Sequence, residues 1–165
     1  MRDYDIKQHI RKTLCLGYRI ISTAVIVIGV IFALLYIGGI RLYQVRSGSM
    51  DDLFSVGSVC FVSTYSSYDS ITSGDVISFY VDDDTRVTHR ATSVTAEGII
   101  TKGDMNENPD PDPVTRENYI GKTIFALPYG GEVIGFMQSV QGKTAIAAGI
   151  VLLILLGLYY KPKDE

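Results

Sequence analysis

The feature that most constrains this chain is a run of 21 uncharged residues from Ile20 to Ile40. As an α-helix such a run is about 31 Å long, which matches the hydrocarbon core of a bilayer at about 30 Å. A cleaved signal peptide is the competing interpretation. The apolar core of a signal peptide usually has about 7–15 residues, and this run ends in Gly-Gly-Ile, followed by Arg41, without a small-x-small cleavage site. We therefore predict a membrane anchor at residues 20–40.

A second uncharged run of 17 residues extends from Thr144 to Tyr160. It lies at the short end of the range for a membrane span. A buried helix of a soluble domain is the alternative, but residues 146–158 have no polar face, which a helix at the surface of a small domain would need. Aromatic residues typical of membrane interfaces flank both runs, namely Tyr18, Tyr43, Tyr159 and Tyr160. We predict a second transmembrane helix at residues 144–160.

Basic residues predict how the chain crosses the membrane. Those that precede the first run or follow the second are Arg2, Lys7, Arg11, Lys12, Arg19, Lys161 and Lys163. The positive-inside rule keeps residues 1–19 and 161–165 in the cytoplasm. Residues 41–143 carry 8 Lys/Arg and 14 Asp/Glu, a net charge of −6. We expect a multi-pass protein of the cell membrane whose folded domain, residues 41–143, lies on the outer, extracytoplasmic face.

Charge and composition exclude two classes of function. The whole chain has a net charge of −3, so it offers no basic excess for binding nucleic acid. Two histidines and two cysteines lie far apart in the sequence, which excludes a metal site with closely spaced ligands. The predicted topology leaves His89 as the only histidine of the outer domain.

The outer segment has the pattern of a small all-β domain. Short β-prone runs are separated by turn residues, at 42–46, 58–63, 75–81, 86–94, 98–101 and 119–127. Helical periodicity is hard to find between them, and residues 106–113 form a proline-rich loop. The fold class we predict is an all-β extracytoplasmic domain with an N-terminal and a C-terminal transmembrane helix.

Three short segments of this domain carry side chains suited to catalysis. They are Ser47–Met50, Thr88–Arg90 and the stretch from Lys102 through Asp104 to Asp110. A serine hydroxyl becomes an effective nucleophile when a base lies within hydrogen-bond reach, and a histidine base benefits from a carboxylate that fixes its tautomer. Each segment taken alone is also typical of ordinary loops and strands. The residues alone therefore leave both a Ser-His-Asp set and a purely structural interpretation open.

The order of the segments is more specific. The series VRSGSM, GSVCFV, SGDVISF, VTHR, ITKGDMNENPD and IGKTIFALPYGG resembles the successive boxes of type I signal peptidases across most of residues 46–131. The subtype is similar to the endoplasmic-reticulum and archaeal form, also found in Gram-positive bacteria. The reason is that His89 stands where the commoner bacterial enzymes have lysine. The resemblance implies a signal-peptidase-like β-fold and Ser-His-Asp chemistry with no metal or cofactor.

The resemblance also implies roles for individual residues. Ser49 is the expected nucleophile and His89 the expected general base. The family pattern has acidic residues at both Asp110 and Asp104, and we predict that Asp110 orients His89 while Asp104 supports the site. The oxyanion hole is expected from the Ser49 backbone N–H, helped by the Ser47 hydroxyl.

Lys102 offers a different catalytic arrangement, a Ser-Lys dyad. A lysine base must be desolvated to lose its proton near neutral pH, and the neighbouring Asp104 favours the charged form. We therefore predict a structural or supporting role for Lys102.

Substrate binding is expected by β-addition near residues 45–47 and 86–88. Shallow apolar pockets lined by Val45, Met50, Phe54 and Val87 would select small residues at the first and third positions before the cut. For Phe54 a role in the core is an equal alternative. The family usually has proline where Asp52 stands, and we expect Asp51 and Asp52 to disfavour acidic substrate residues beside them.

The function implied is that of a membrane-bound serine endopeptidase, with Ser49 as nucleophile and His89 as general base, that removes N-terminal signal peptides from secretory preproteins. Its partners would be these preproteins and the lipid bilayer, and the sequence names no partner subunit. The alternative is a catalytically silent, membrane-tethered β-module that binds an extracellular peptide or an envelope partner.

Overall fold

The computed structural model describes residues 2–160 of the chain. Within them the chain forms two compact units. One contains helix α3 (Val140–Tyr160) and most of helix α1 (Arg2–Ile37), and the other extends over Leu35–Gln138. The predicted cytoplasmic tail at residues 161–165, with Lys161 and Lys163, lies outside the described residues.

The two long helices carry the apolar runs of the sequence. The segments Arg11–Ile37 and Val140–Tyr159 are long and apolar enough to cross a membrane, judged by length and composition. Within this unit the Tyr18 hydroxyl of α1 donates a hydrogen bond to the Leu153 carbonyl of α3, at 3.1 Å. A Cβ atom on Gly157 would collide with the same Tyr18 hydroxyl. A glycine at 157 therefore allows the Tyr18 side chain to lie against α3.

The second unit is built on one six-stranded antiparallel sheet. Its strands are β1 (Ile40–Gln44), β2 (Val59–Ser63), β3 (Val76–Tyr80), β4 (Arg86–Val94), β5 (Ile99–Lys102) and β6 (Tyr119–Leu127), in the spatial order β1-β2-β6-β3-β4-β5. The predicted strands at 86–94 and 119–127 match β4 and β6 in both bounds. The strand predicted at 42–46 begins two residues earlier, at Ile40, because Gly39 ends α1 abruptly with a positive φ of 71°.

A short helix interrupts the β-pattern and was not predicted. Helix α2 (Gly131–Gln138) has eight residues, too few to display a clear 3.6-residue period. Its last side chain, Gln138, donates an amide hydrogen to the Leu42 carbonyl at 2.9 Å. Helix α2 therefore satisfies one of the outward-facing carbonyl groups on the edge strand β1.

The domain has an apolar cluster on each face of the sheet. Neighbouring strand residues point to opposite faces, and in β3 Ile77 belongs to one cluster while Val76 belongs to the other. The first cluster is Ile71, Ile77, Phe79, Ala91, Ile99 and Val114, and the second is Met50, Phe54, Cys60, Val62 and Val76. An all-β domain with two apolar terminal helices is thus confirmed as the fold class.

Candidate active site

Ser49 lies in a loop that is fixed on both sides. Before it, the chain stays paired with the loop that precedes β2, where the Val45 amide donates to the Ser58 carbonyl at 2.9 Å. After it, Met50 is 1% exposed and inserts into the second apolar cluster. The Ser49 carbonyl also accepts a hydrogen bond from the Met105 amide at 2.9 Å. These contacts hold the serine at a defined position beside the sheet.

His89 lies in β4 and connects Ser49 to a carboxylate. Its ring is buried, with 7% of the residue exposed. One ring nitrogen, Nε2, lies 3.0 Å from Ser49 Oγ, and the other, Nδ1, lies 2.7 Å from Asp110 Oδ2. A carboxylate at Nδ1 favours the tautomer with hydrogen on that nitrogen, which leaves Nε2 free to accept the serine proton. The three side chains form a continuous hydrogen-bonded chain.

Thr101 holds the carboxylate of this chain in place. Its hydroxyl donates to Asp110 Oδ2 at 2.6 Å, and its carbonyl accepts the Asp110 amide at 2.8 Å. Thr101 is fully buried and pairs with Ala91, two residues beyond His89, so that it shares the face of His89. Sequence reasoning missed this residue, although it lies in the same box, ITKGDMNENPD, as Asp104 and Asp110.

Asp104 occupies a different position from Asp110. Both of its oxygens accept hydrogen bonds from the Arg90 guanidinium, at 2.9 and 2.6 Å, and Arg90 also donates to the Gly74 carbonyl at 2.9 Å. The hydrogen bond from Arg90 holds the pKa of Asp104 below its usual range. Its backbone amide donates to the Met50 sulfur at 3.4 Å. Asp104 therefore contacts the strand and loop that carry His89 and Ser49.

The hydroxyl of Ser47 lies 3.3 Å from that of Ser49. In the part of the chain that the structure describes, the Ser49 backbone N–H donates to no other group. Both donors are therefore available to a negative oxygen near Ser49 Oγ, as an oxyanion hole requires.

Lys102 lies apart from the hydrogen-bonded chain. It follows Thr101 in β5, so its side chain leaves the opposite face of the sheet. Among residues 2–160 it forms no ion pair and no hydrogen bond to Ser49. His89, rather than Lys102, is the basic side chain within reach of Ser49 Oγ.

Ser49 and His89 open onto a cleft of about 310 Å³ between the end of β1 and the start of β4. Its apolar lining is Tyr43, Val45, Met50, Phe54, Cys60 and Val87. The four residues predicted to bind substrate are all in this set, and Phe54 belongs to both the cleft and the core.

Cys60 is a second potential nucleophile in the cleft. Burial raises the pKa of its thiol to about 12, so the thiolate that would react is scarce at neutral pH. Ser49, with a base at 3.0 Å, is therefore the nucleophile that the cleft favours.

Comparison with known proteins identifies one relevant relative. No family model matches the chain. Over 95 residues it is 40% identical to signal peptidase I W of Bacillus subtilis (strain 168), an alignment that covers 54% of this chain and 50% of that protein. The chain thus spans about half the length of this curated relative. The resemblance of its sequence boxes to type I signal peptidases is confirmed, and the similarity is to an enzyme of the Gram-positive type.

Proposed function

We propose that the protein is a membrane-bound serine endopeptidase that removes N-terminal signal peptides from secretory preproteins. The observation that carries this proposal is the chain of hydrogen bonds from Ser49 Oγ through His89 to Asp110 at the wall of the cleft. Similarity to a signal peptidase supports the choice of substrate class.

In the proposed mechanism, Ser49 Oγ attacks the carbonyl carbon of the scissile peptide bond while His89 Nε2 takes its proton. Asp110 stabilises the imidazolium that forms. The Ser49 amide and the Ser47 hydroxyl stabilise the oxyanion. His89 then gives its proton to the leaving amine, which leaves an acyl ester on Ser49. A water molecule, deprotonated by His89, hydrolyses that ester and releases the signal peptide.

The substrate would bind in an extended conformation between β1 and β4. Strand β5 pairs with β4 only from Arg90 onward, so residues 86–89 keep one free backbone edge. The Val45 amide donates to the Ser58 carbonyl, and the Val45 carbonyl accepts the Gly57 amide. The backbone amides and carbonyls of the neighbouring Gln44 and Arg46 therefore point outward, away from these partners. These two edges support recognition by strand addition. The apolar lining favours small residues at the first and third positions before the cut.

The apolar helices would anchor the enzyme as a multi-pass protein, with residues 1–19 and 161–165 in the cytoplasm and residues 41–143 outside. The predicted spans at residues 20–40 and 144–160 overlap the segments Arg11–Ile37 and Val140–Tyr159, which have suitable length and composition. The first predicted span extends too far, because α1 ends at Ile37 and Ile40 already belongs to β1. Confining the enzyme and a signal peptide to one membrane raises their effective concentration.

Cleavage of a preprotein by the purified full-length chain in neutral detergent tests the proposal. We expect one new N-terminus, found by mass spectrometry, and a loss of at least about 10³-fold in kcat for Ser49→Ala and for His89→Ala. Matched controls are Ser55→Ala in the same loop and His9→Ala at the other histidine, both of which keep parental activity. Parental activity in Ser49→Ala would refute the mechanism. Peptide binding without cleavage by the parent would instead favour the silent β-module.

A further inference from the structure

Two guanidinium groups line the proposed substrate cleft. Arg86 lies with its guanidinium carbon 4.2 Å from the centre of the Tyr43 ring, a cation–π contact that restrains the long side chain. Arg46 follows β1, and its Nε faces the Gln44 side-chain oxygen at 3.4 Å. Both side chains are exposed to solvent. The cleft lining therefore carries two cationic side chains, both in contact with residues of β1.

Neither arginine has a carboxylate partner among the residues that the structure describes. Other cations of the domain do, in the pairs Arg90–Asp104, Arg116–Asp69 and Lys122–Asp75. The contrast is notable because residues 41–143 have an excess of acidic groups. Arg41, Lys102 and Lys143 also form no ion pair among the described residues, but Arg46 and Arg86 are the ones that line the cleft.

Carboxylates close in sequence form no ion pair with the two guanidinium groups. Asp82, Asp83 and Asp84 precede Arg86 but are outside the cleft lining, and the Asp82 carboxylate accepts the Asp84 and Thr85 amides. Asp51 and Asp52 are outside the cleft lining, and the Asp51 carboxylate faces Gly48. Asp110 is bound to His89 and Thr101, and Asp104 to Arg90. Among the described residues that line the cleft, the arginine, lysine and carboxylate side chains are therefore Arg46 and Arg86. We expect Asp51 and Asp52 to disfavour acidic substrate residues only next to their own loop, beside Gly48, and not inside the cleft.

The positions of the two arginines indicate which substrate residue before the cut they would contact. Arg86 is three residues before His89 in the extended strand β4, so it lies about 10 Å along the strand from that reacting group. Arg46 is three residues before Ser49, in the loop that follows β1. Side chains of a bound strand alternate between the floor and the rim of the cleft. If the first and third residues before the cut point to the apolar floor, the second and fourth point to the rim, where the arginines lie. The distance of about 10 Å favours the fourth.

We propose that Arg46 and Arg86 form a subsite for a carboxylate side chain of the substrate, at the fourth residue before the cut. This inference rests on the proposed function, and it makes preproteins with Asp or Glu at that position the preferred substrates. Guanidinium groups suit this task because they present several N–H donors to a carboxylate and remain charged at all relevant pH values.

Peptide substrates that differ at one residue test the subsite. The full-length enzyme in neutral detergent is given matched peptides with Glu, Gln or Lys at the fourth position before the cut, and kcat/KM is measured for each. We expect a Glu-to-Gln ratio of about three- to tenfold. The ratio should fall towards one as the salt concentration rises to 0.5 M, because exposed ion pairs are screened. This salt dependence requires no variant and so does not depend on a variant folding.

Variants assign the preference to the two arginines. Arg86→Gln and Arg46→Gln should each lower the Glu-to-Gln ratio, and Arg86→Glu should turn it into a preference for Lys. Arg116→Gln is the matched control, since Arg116 also stacks on a tyrosine, Tyr68, but is paired with Asp69. It should keep the parental ratio.

The outcomes separate the two proposals. Equal cleavage of all three peptides would overturn the subsite and leave the proposed function intact. No cleavage of any peptide would overturn the proposed function and the subsite with it. If the arginine variants change only the binding of vesicles containing anionic lipid, the arginines contact headgroups and the subsite is refuted.

Discussion

Gly103 is the residue whose replacement most sharply tests how the nucleophile is held. It is buried and follows β5 directly. A Cβ atom added there would lie 2.8 Å from the Ser49 carbonyl oxygen and 2.9 Å from Ser49 Cβ. Ordinary contacts of a Cβ atom begin at about 3.4 Å. In Gly103→Ala the serine and the alanine must therefore separate by about 0.6 Å.

The expected cost follows from that displacement. The Ser49 Oγ to His89 Nε2 distance is 3.0 Å, and a lengthening of about 0.6 Å would take it beyond the range of a good hydrogen bond, which weakens proton transfer. A misplacement of about 1 Å at reacting atoms costs about 10²-fold, and we expect kcat to fall by roughly 10- to 50-fold at 0.6 Å. KM should change by less than about threefold, because Gly103 is not part of the cleft lining.

The assay is steady-state cleavage of a signal-peptide substrate at 10 °C, with thermal unfolding measured on the same samples. Gly121→Ala is the matched control, because a Cβ atom at position 121 would collide with the Ser63 backbone. Gly121 lies in β6, and β3 separates this strand from β4, which carries His89. Both variants should lose about 1–3 kcal/mol of stability from overpacking, but only Gly103→Ala should lose kcat while folded. Equal kcat in the two folded variants would refute the claim that Gly103 positions Ser49.

Three further predictions test the surroundings of the site. Thr101→Val removes one donor to Asp110 and should lower kcat by about tenfold; Thr101→Ser should restore it, and no rescue would contradict a hydrogen-bonding role. Lys102→Ala should cleave substrate at the parental rate and His89→Lys should be inactive, whereas the reverse result would indicate a Ser-Lys dyad. Arg90→Gln removes the hydrogen bond that lowers the pKa of Asp104. A carboxyl group whose pKa is lowered in the folded protein stabilises the fold at pH values above its ordinary pKa of 3.8. This stabilisation is lost as the pH falls through the pKa of the folded state. The thermal midpoint of the parent should therefore fall more steeply as the pH drops below about 4 than that of Arg90→Gln, and parallel curves would contradict the assigned cause.

The sequence predicted the parts of this fold that have a strong local signal. Strands β4 and β6 are runs of β-prone residues between clear turns, and their predicted bounds match the structure. Helix α2 escaped prediction because its eight residues include two glycines and almost no polar face. What stabilises it is tertiary, since Gln138 caps an edge carbonyl of β1.

The roles of Asp104 and Asp110 depend on geometry that a linear sequence does not contain. Both follow the same strand, six residues apart. The amide of Asp110 returns to Thr101, which turns its carboxylate towards His89, while Asp104 meets Arg90 on the other side of β4. Alternation along β4 sends His89 and Arg90 to opposite faces, so two neighbouring residues select different carboxylates. Only the register of β4 with β5 reveals which carboxylate each one meets.

We propose that Ser49 and His89 act as one catalytic unit, and a comparison of single and double variants tests their coupling. Single-turnover cleavage rates are measured for Ser49→Ala, His89→Ala and the variant that carries both substitutions. Residues that act as a unit have strongly non-additive effects, so the double variant should be no slower than the worse single variant, within about threefold. If the two losses multiply instead, Ser49 and His89 act independently and the proposed proton transfer between them is wrong.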